Sequence, residues 1–331
     1  MKKRKLIIIA LLLFAGISLL AFGQDLKDIQ KGVASFSEDL SKSLPFNSSL
    51  GLNWSDAYIG KLFPSAPPHF GVGGSFGFTT MELPAARKLA GYLGYKIPFD
   101  TNKMFLPAYT AEARIGGLFL PFDIGVKFGY LPPIGLWGTD MNMNYLLVGG
   151  DIRYALLDGT ILPKISLGVG LDYLSGSVGG KVGNQQKISY GGNSITLEKP
   201  DVNLKWDTLS LDLKLQISKS FLIITPYLGL GGSYAWSEAG YSVDAKVTNS
   251  SGLTLTQADI DMVNAYLNSQ GLDGMDVNHT GISSMVKNSA FGFRAFGGFS
   301  INLVVLKLDL TGLYSFLDKN YGGSFGVRFQ L

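Results

Sequence analysis

The amino-acid sequence predicts an all-β fold, a transmembrane antiparallel up-and-down β-barrel of about ten strands. Three observations predict it. From Phe70 to Leu331, about ten segments alternate apolar residues with polar residues or glycine, so each would form a strand with one apolar and one polar face. The connections between these segments alternate between short and longer ones, except that the last, at 317–320, is also short, and an export signal precedes them all. Together these features are typical of a barrel that crosses a membrane with strands.

Residues 1–23 have the parts of a secretory signal peptide: four basic residues at 2–5, an apolar run at 6–20, and small residues before Gln24. A retained N-terminal anchor is the alternative. Cleavage removes four positive charges, so the formal net charge of +3 becomes −1. No basic patch interleaved with aromatics remains, and no nucleic-acid partner is expected. The chain has no cysteine, so we expect stability from complete strand pairing.

Residues 24–68 are predicted to form a helix followed by a linker. Apolar residues recur at spacings of three and four from Leu26 to Leu44, and Pro45 is expected to end the helix. The favoured interpretation is an amphipathic periplasmic helix, or one lying against the barrel rim. The alternative is a plug inside the lumen. Residues 47–68 are rich in Ser, Asn, Gly and Pro, which indicates a linker, in part inserted in the barrel.

The barrel is predicted to occupy residues 69–331, and each of its strands is long enough to cross a bilayer when tilted. The strand at 122–130 shows the pattern clearly, with Ile124, Val126 and Phe128 on one face and Asp123 and Lys127 on the other. The strands are predicted at residues 69–80, 109–119, 122–130, 144–154, 164–173, 206–217, 224–236, 290–302, 306–316 and 321–331.

The tight connections, at 120–122, 156–161, 219–220 and 302–305, all fall on one side of the predicted barrel. Short turns face the periplasm in bacterial outer-membrane barrels, and longer loops face outward. An even strand count then returns the C-terminus to the periplasm. The large outer loops are expected at 82–104, 176–205 and 237–289. Helices predicted at 84–93 and from Thr256 onward would either pack on the barrel mouth or form a lid or a partner-binding surface.

Most charged residues of the strands fall on the polar faces, which point into the lumen. Acids and bases are nearly equal in number, and buried charges survive by pairing. Because ten strands enclose a space only slightly wider than side chains fill, the favoured interpretation is a salt-bridged core that blocks flow. A narrow polar channel is the alternative. The predicted lumen charges are Glu112, Arg114, Asp123, Lys127, Asp151, Arg153, Asp172, Asp212, Lys214, Arg294, Lys307 and Asp309, with Lys164 and Arg328 on the same face.

The sequence offers little catalytic chemistry. Its two histidines, His69 and His279, are predicted at opposite ends of the barrel and so cannot share a metal ion. His279 lies near Asp276 and Ser283 in sequence, but an exposed loop histidine is favoured over a hydrolytic group. We expect no cofactor, no metal site and no enzymatic activity.

The last eight residues, SFGVRFQL, resemble the C-terminal signal of bacterial outer-membrane proteins. Ser324, Gly326, Phe329 and Leu331 match its polar, glycine and hydrophobic positions. The resemblance implies that the barrel-assembly machinery reads this strand, that the barrel lies in outer-membrane lipid, and that the protein is located in the bacterial outer membrane.

Residues 48–60 resemble the lumenal hatch of the fatty-acid transporter (FadL-like) barrels, a resemblance that implies a small or hydrophobic solute. The predicted function is a non-enzymatic outer-membrane barrel with a structural or surface role, and with passive transport as a possible activity. The alternatives are a narrow pore or FadL-like transporter of hydrophobic substrates, and a surface enzyme.

Overall fold

The computed structural model is a closed β-barrel with one N-terminal helix. It describes residues 26–62, 68–82, 84, 87, 103–135, 141–159, 161–181, 186–190, 193–197, 201–244, 247–249, 261, 265, 276–277 and 281–331. The signal peptide predicted at 1–23, the loop helices predicted at 84–93 and from Thr256, and His279 lie wholly or largely outside the described residues.

The secondary structure is mostly strand. After helix α1 (Leu26–Asn47) come β1 (Phe70–Glu82), β2 (Lys103–Gly116), β3 (Phe122–Gly135), β4 (Met141–Leu157), β5 (Lys164–Lys181), β6 (Gln186–Tyr190), β7 (Asn193–Leu197), β8 (Asp201–Ser218), β9 (Ile224–Asp244), β10 (Val247–Asn249), β11 (Asp276–Val277), β12 (Gly281–Leu303), β13 (Leu306–Ser315) and β14 (Tyr321–Gln330).

Ten of these strands form the wall, in the order β1, β2, β3, β4, β5, β8, β9, β12, β13 and β14. The last strand pairs with the first, from Gly71 opposite Gln330 to Thr79 opposite Gly322, so the wall has no free edge. Strands β6, β7 and β10 form a separate small sheet, and β11 adds to the end of β12. The predicted ten-stranded antiparallel up-and-down barrel is confirmed.

The four connections predicted to be tight lie at one end of the barrel, which we call the turn end. The long connections lie at the opposite loop end, together with the short β13–β14 turn at 316–320. At the loop end several strands are longer than predicted. Strand β12 begins at Gly281 rather than at 290, and β9 continues to Asp244, so the loop predicted at 237–289 was too long at both ends. The two strands stay paired there through polar positions such as Glu238 opposite Lys287. The alternation of apolar and polar residues therefore ends before the strands do, because backbone pairing continues where the outward residues are polar.

The outward face of the wall is apolar along its middle. Val126 and Phe128 on β3, and Leu211 and Leu213 on β8, leave between 46% and 56% of their surface exposed. The alternate residues point inward and are buried, so the core of the molecule is the barrel interior. Within the part of the chain that the structure describes, no helix is long and apolar enough to cross a membrane.

Helix α1 enters the barrel from the loop end. Ser37 Oγ donates a hydrogen bond to Ala239 O at 2.9 Å, and Asn320 Nδ2 donates to Ser43 Oγ at 3.1 Å. The helix continues two residues beyond Pro45, because a proline in the last turn removes only its own N–H bond. Residues 43–59 are all buried. Residues 43–59 therefore lie in the lumen, the placement that the alternative interpretation of a plug describes, while Glu38 and Lys42 of the helix remain exposed at the loop end.

Candidate functional site

The lumen is occupied by an irregular run of chain, residues 48–59, which we call the plug segment. Helix α1 enters at the loop end, and the plug segment continues from the middle of the wall to the turn end, so that together they cross the barrel. At its start, Ser48 Oγ donates to Ser210 Oγ at 3.1 Å. Just beyond its other end, Leu62 N donates to Gly117 O, in the β2–β3 turn, at 2.8 Å. The chain then continues to β1, which also begins at the turn end.

Side chains of the wall donate hydrogen bonds to backbone carbonyl oxygens of the plug segment. Lys127 Nζ donates to Ser48 O at 2.7 Å and to Leu50 O at 2.8 Å. Gln216 Nε2 donates to Trp54 O at 2.7 Å. Irregular backbone inside a barrel has no neighbouring strand to pair with, so side chains must take that role. The wall therefore positions the plug segment along much of its length.

Glu112 is the main acceptor for the middle of the plug segment. Its Oε2 accepts from Leu52 N at 2.9 Å and from Trp54 Nε1 at 2.7 Å. Its Oε1 accepts from Ser75 Oγ and Thr110 Oγ1, both at 2.7 Å. These four donors make a buried carboxylate tolerable without a salt bridge. A cavity of about 20 Å³ beside Trp54 and Glu112 is large enough for one water molecule.

Asp56 joins the plug segment to the wall by charge. Its Oδ2 lies 2.7 Å from Lys307 Nζ and 2.9 Å from Arg328 Nη2. Arg328 also pairs with Asp309 at 2.8 Å, and its guanidinium lies 4.5 Å from the centroid of the Trp54 ring. The cation therefore contacts both an acid and an aromatic ring of the plug segment.

The charged groups of a second network all lie on the wall, although Arg153 also donates to Asp56 O at 2.7 Å and Asp123 accepts from Ile59 N at 3.1 Å. Arg114 pairs with Asp123 at 2.6 Å and with Asp151 at 2.7 Å, while Arg153 pairs with the other oxygen of Asp123 at 2.8 Å. Asp151 also pairs with Lys214. Asp123 and Arg153 sit directly opposite each other on β3 and β4, so their inward side chains meet across the strand pair.

Two further ion pairs lie between charged side chains on the inner face of the wall. Lys127 Nζ lies 3.0 Å from Asp172, and Arg294 binds Asp212 with both terminal nitrogens at 2.7 and 2.8 Å. Near the turn end, Lys164 Nζ lies 3.6 Å from Asp158, so this pair is longer.

The predicted lumen residues all lie on the inner face of the wall. Lys164 and Lys307 are half-buried and the others are buried. Seven cations (Arg114, Lys127, Arg153, Lys214, Arg294, Lys307 and Arg328) face six acids (Glu112, Asp123, Asp151, Asp172, Asp212 and Asp309). Asp56 of the plug segment is the seventh acid, so the lumen contains equal numbers of these acidic and basic side chains. The sequence analysis missed Asp56, although its segment, with Trp54 and Tyr58, is unusually aromatic for a linker.

The remaining predicted residues lie near the barrel ends. His69 precedes β1, and its Nδ1 lies 3.1 Å from Leu331 O. Ser324, Gly326 and Phe329 lie on β14, at its seam with β1.

At the loop end, Lys42 Nζ donates to Glu38 at 2.8 Å, which lowers the pKa of Glu38 and raises that of Lys42. An open crevice of about 620 Å³ lies there between α1 and β12, beside Lys42 and Phe291.

No protein-family model matches the chain, and no curated protein sequence matches it. Solved structures with the same barrel architecture include the outer membrane protease OmpT from Escherichia coli. It is 12% identical, covers 83% of this chain and 100% of its own, and has a TM-score of 0.43.

The translocator domain of the autotransporter NalP from Neisseria meningitidis is 9% identical over 79% of this chain and 87% of its own, with a TM-score of 0.35. The toluene transporter TbuX from Ralstonia pickettii is 10% identical over 80% of this chain and 89% of its own, with a TM-score of 0.26. These names cover a protease, a translocator and a transporter, so the likeness assigns no activity to this chain.

Proposed function

We propose that the protein is a non-enzymatic β-barrel of the bacterial outer membrane, exported with a cleaved signal peptide and sealed by its own N-terminal segment. The observation that carries the proposal is the plug segment, which occupies the lumen and is held by wall side chains along its path. Its role is then structural or at the cell surface, with outer-membrane lipid as its surroundings.

Two features support a non-enzymatic role. The lumen charges bond to one another and to the plug segment, so these side chains are already engaged. In the part of the chain that the structure describes, His69 contacts a backbone carbonyl oxygen at the turn end rather than a serine hydroxyl. The alternative of a surface enzyme has no support from these contacts.

A planar-bilayer recording tests the sealed lumen. Because the chain has no cysteine, the pair Ser55→Cys and Ser300→Cys introduces a single possible disulfide. The two hydroxyl oxygens are 2.7 Å apart, and the crosslink would fix the plug segment to β12. We expect no steady conductance steps from the wild type, from the oxidised pair or from the reduced pair. Each single-cysteine variant is the control. Steady steps in the wild type and in the oxidised pair would overturn the proposal.

A second candidate is regulated passage of a small or hydrophobic solute. One observation favours it: hydrogen bonds and ion pairs hold the plug segment, and water can replace these when the segment moves. The same recording separates the candidates. Steps that appear on reduction and vanish on oxidation would favour regulated passage.

The proposed assembly signal has its own test. Phe329 is exposed on the outer face of β14, and its ring lies 6.4 Å from that of Phe70 across the seam. Replacing Phe329 with Ala should lower the yield of assembled barrel in cells more than replacing Val327, the preceding outward residue of the same strand. Equal yields for the two variants would count against recognition by the barrel-assembly machinery.

A further inference from the structure

The four tight turns at the turn end carry large apolar side chains that are almost fully exposed. Phe119 is 72% exposed, Ile161 87%, Val304 94%, and Leu222 has no protein contact over its surface, at 103%. Further exposed apolar residues flank them. These are Leu118, Leu120, Leu162, Phe221, Ile223 and Val305. Exposed apolar groups at this density mark a surface that meets something other than water.

The apolar tips belong to one continuous rim. Ala155 N, at the end of β4, donates to Pro121 O of the β2–β3 turn at 2.7 Å. Asn302 N donates to Ile223 O at 2.7 Å, and Lys219 Nζ donates to Ile161 O of the neighbouring turn. Neighbouring turns therefore satisfy each other's backbone groups, which is the condition for placing a turn in lipid.

Several charged side chains near this rim contact other parts of the chain. Lys164 Nζ donates to Tyr58 O of the plug segment at 3.1 Å, and Lys307 pairs with Asp56 inside the lumen. Lys219 donates to Ile161 O, while Asp158 and Ser220 stay exposed on the turns. The outer surface of the rim is therefore mainly, but not wholly, apolar.

The opposite boundary of the apolar belt looks different. Outward tyrosine and tryptophan side chains are more frequent toward the loop end, where Tyr130, Tyr173, Trp236 and Tyr314 are exposed, whereas Tyr154 is exposed near the turn end. Such amphipathic rings lie at the boundary between lipid and water. Val305, in the β12–β13 turn, lies nine residues before Tyr314 of β13, which corresponds to about 30 Å along the strand. Because the strands of such a barrel are tilted by about 40°, this length corresponds to about 23 Å along the membrane normal. An outer-membrane apolar belt is about 25 Å tall, so the tips reach its far boundary.

We propose that this apolar rim is inserted in the periplasmic leaflet of the membrane, at the boundary between acyl chains and headgroups. The proposal rests on the outer-membrane location proposed above. The occupant of the rim is lipid because its apolar side chains continue the apolar belt of the strands, and because the belt height ends at the tips. The exposed Asp158 and Ser220 fit a boundary at which headgroups meet the acyl chains. The turns then act as anchors that set the depth of the barrel.

Site-directed spin labelling tests this proposal on the full chain, since every introduced cysteine is unique. Nitroxide labels at Leu222→Cys and Val304→Cys report the rim. A label at Val126→Cys, in the middle of the belt, is the lipid control, and one at Lys319→Cys, in the exposed β13–β14 turn, is the water control. The protein is reconstituted in phosphatidylcholine–phosphatidylglycerol vesicles, and each label is relaxed by oxygen, which concentrates in lipid, or by a water-soluble nickel chelate.

We expect the two rim labels to be relaxed more by oxygen than by nickel, as at Val126, with values between those of the two controls. Nickel relaxation equal to that at Lys319 would overturn the proposal by placing the rim in water. Low relaxation by both reagents would overturn it in favour of a protein partner. Nickel access at Val126 itself would instead contradict the membrane location, so the two failures can be told apart.

Discussion

Asp56 is the single acid that the plug segment contributes to the lumen charges. Lys307 and Arg328 both contact its Oδ2, and only Arg328 has a second described acid, Asp309, within ion-pair distance. Removing one member of a buried ion pair leaves the other as an uncompensated charge, which is costly in a low-dielectric interior. The plug segment is therefore bound to the wall by charge as well as by hydrogen bonds.

We predict that Asp56→Asn lowers the free energy of unfolding by roughly 3 kcal/mol, as expected for a broken buried pair. Urea unfolding of the barrel in lipid vesicles, followed by tryptophan fluorescence, measures this. In a double-mutant cycle, Lys307→Met should recover part of the loss, because it removes the stranded cation. A loss below about 0.5 kcal/mol, or the absence of coupling with Lys307, would contradict the assigned contact.

Glu112 gives a second prediction at this scale. Gln in its place keeps one acceptor oxygen but turns an amide NH₂ toward two of four donors. We expect Glu112→Gln to cost about 2 kcal/mol in the same unfolding assay, since buried donors lose their partner. Glu238→Gln, on half-buried Glu238 near the loop end of β9, is the matched control and should be near neutral. Equal effects at the two positions would show that Glu112 does not hold the plug segment.

The inward charges could be predicted from sequence because a strand's period of two assigns each residue to a face. Arg114, Asp123 and Arg153 follow from that parity alone. Asp56 and Trp54 do not, because the plug segment has no regular period and its burial is created by the wall around it. Its aromatic content was the available signal.

At the scale of the element, small residues on the strands make room for the charge networks. Gly125 on β3 faces inward, and a Cβ there would lie 2.7 Å from Arg114 Nη2 and 2.8 Å from Asp151 Oδ1. A methyl group would therefore push apart the two members of an ion pair. On β13, a Cβ at Gly312 would meet its nearest neighbour, Gly297 O, at 3.9 Å, an ordinary contact.

We predict that Gly125→Ala costs about 1–3 kcal/mol, as overpacking of a filled interior does. Gly312→Ala should be neutral or slightly stabilising, because it limits the freedom of the unfolded chain without a clash. The temperature at which the barrel loses its heat-resistant migration on a gel compares the two variants. Similar temperatures for both would contradict the close approach at Gly125.

The strands themselves were predictable, but their loop-end limits were not. The turn ends of β5, β8 and β13 lie within one residue of the predicted positions, whereas β2 and β12 begin six and nine residues before them. The turn ends are marked by tight spacing, and at β5 also by Gly159 and Pro163. At the loop end of β12 the outward residues Lys287 and Ser289 are polar, whereas at the loop end of β2 both faces carry apolar residues, such as Phe105 and Leu106. In both strands the alternation stops while backbone pairing continues, so the hydrophobic pattern does not locate the strand end.

At the scale of the whole molecule, the path of the N-terminal segment predicts on which side its residues are found. Lys42 is exposed at the loop end, and Lys61 lies beside Gly117 at the turn end. With the short turns in the periplasm, Lys42→Cys should react with a membrane-impermeant maleimide on intact cells. Lys61→Cys should react only after the outer membrane is permeabilised. The opposite result would invert the barrel, and labelling of both on intact cells would contradict a sealed lumen.

The chain crosses the barrel eleven times, once through its centre and ten times as its wall. An odd number of crossings puts the described amino end of the chain and Leu331 at opposite ends of the barrel. The plug segment leads, through residues 60–69, into β1, the strand whose pairing with β14 closes the ring. Occupation of the lumen and closure of the wall are therefore tied to one short stretch of chain.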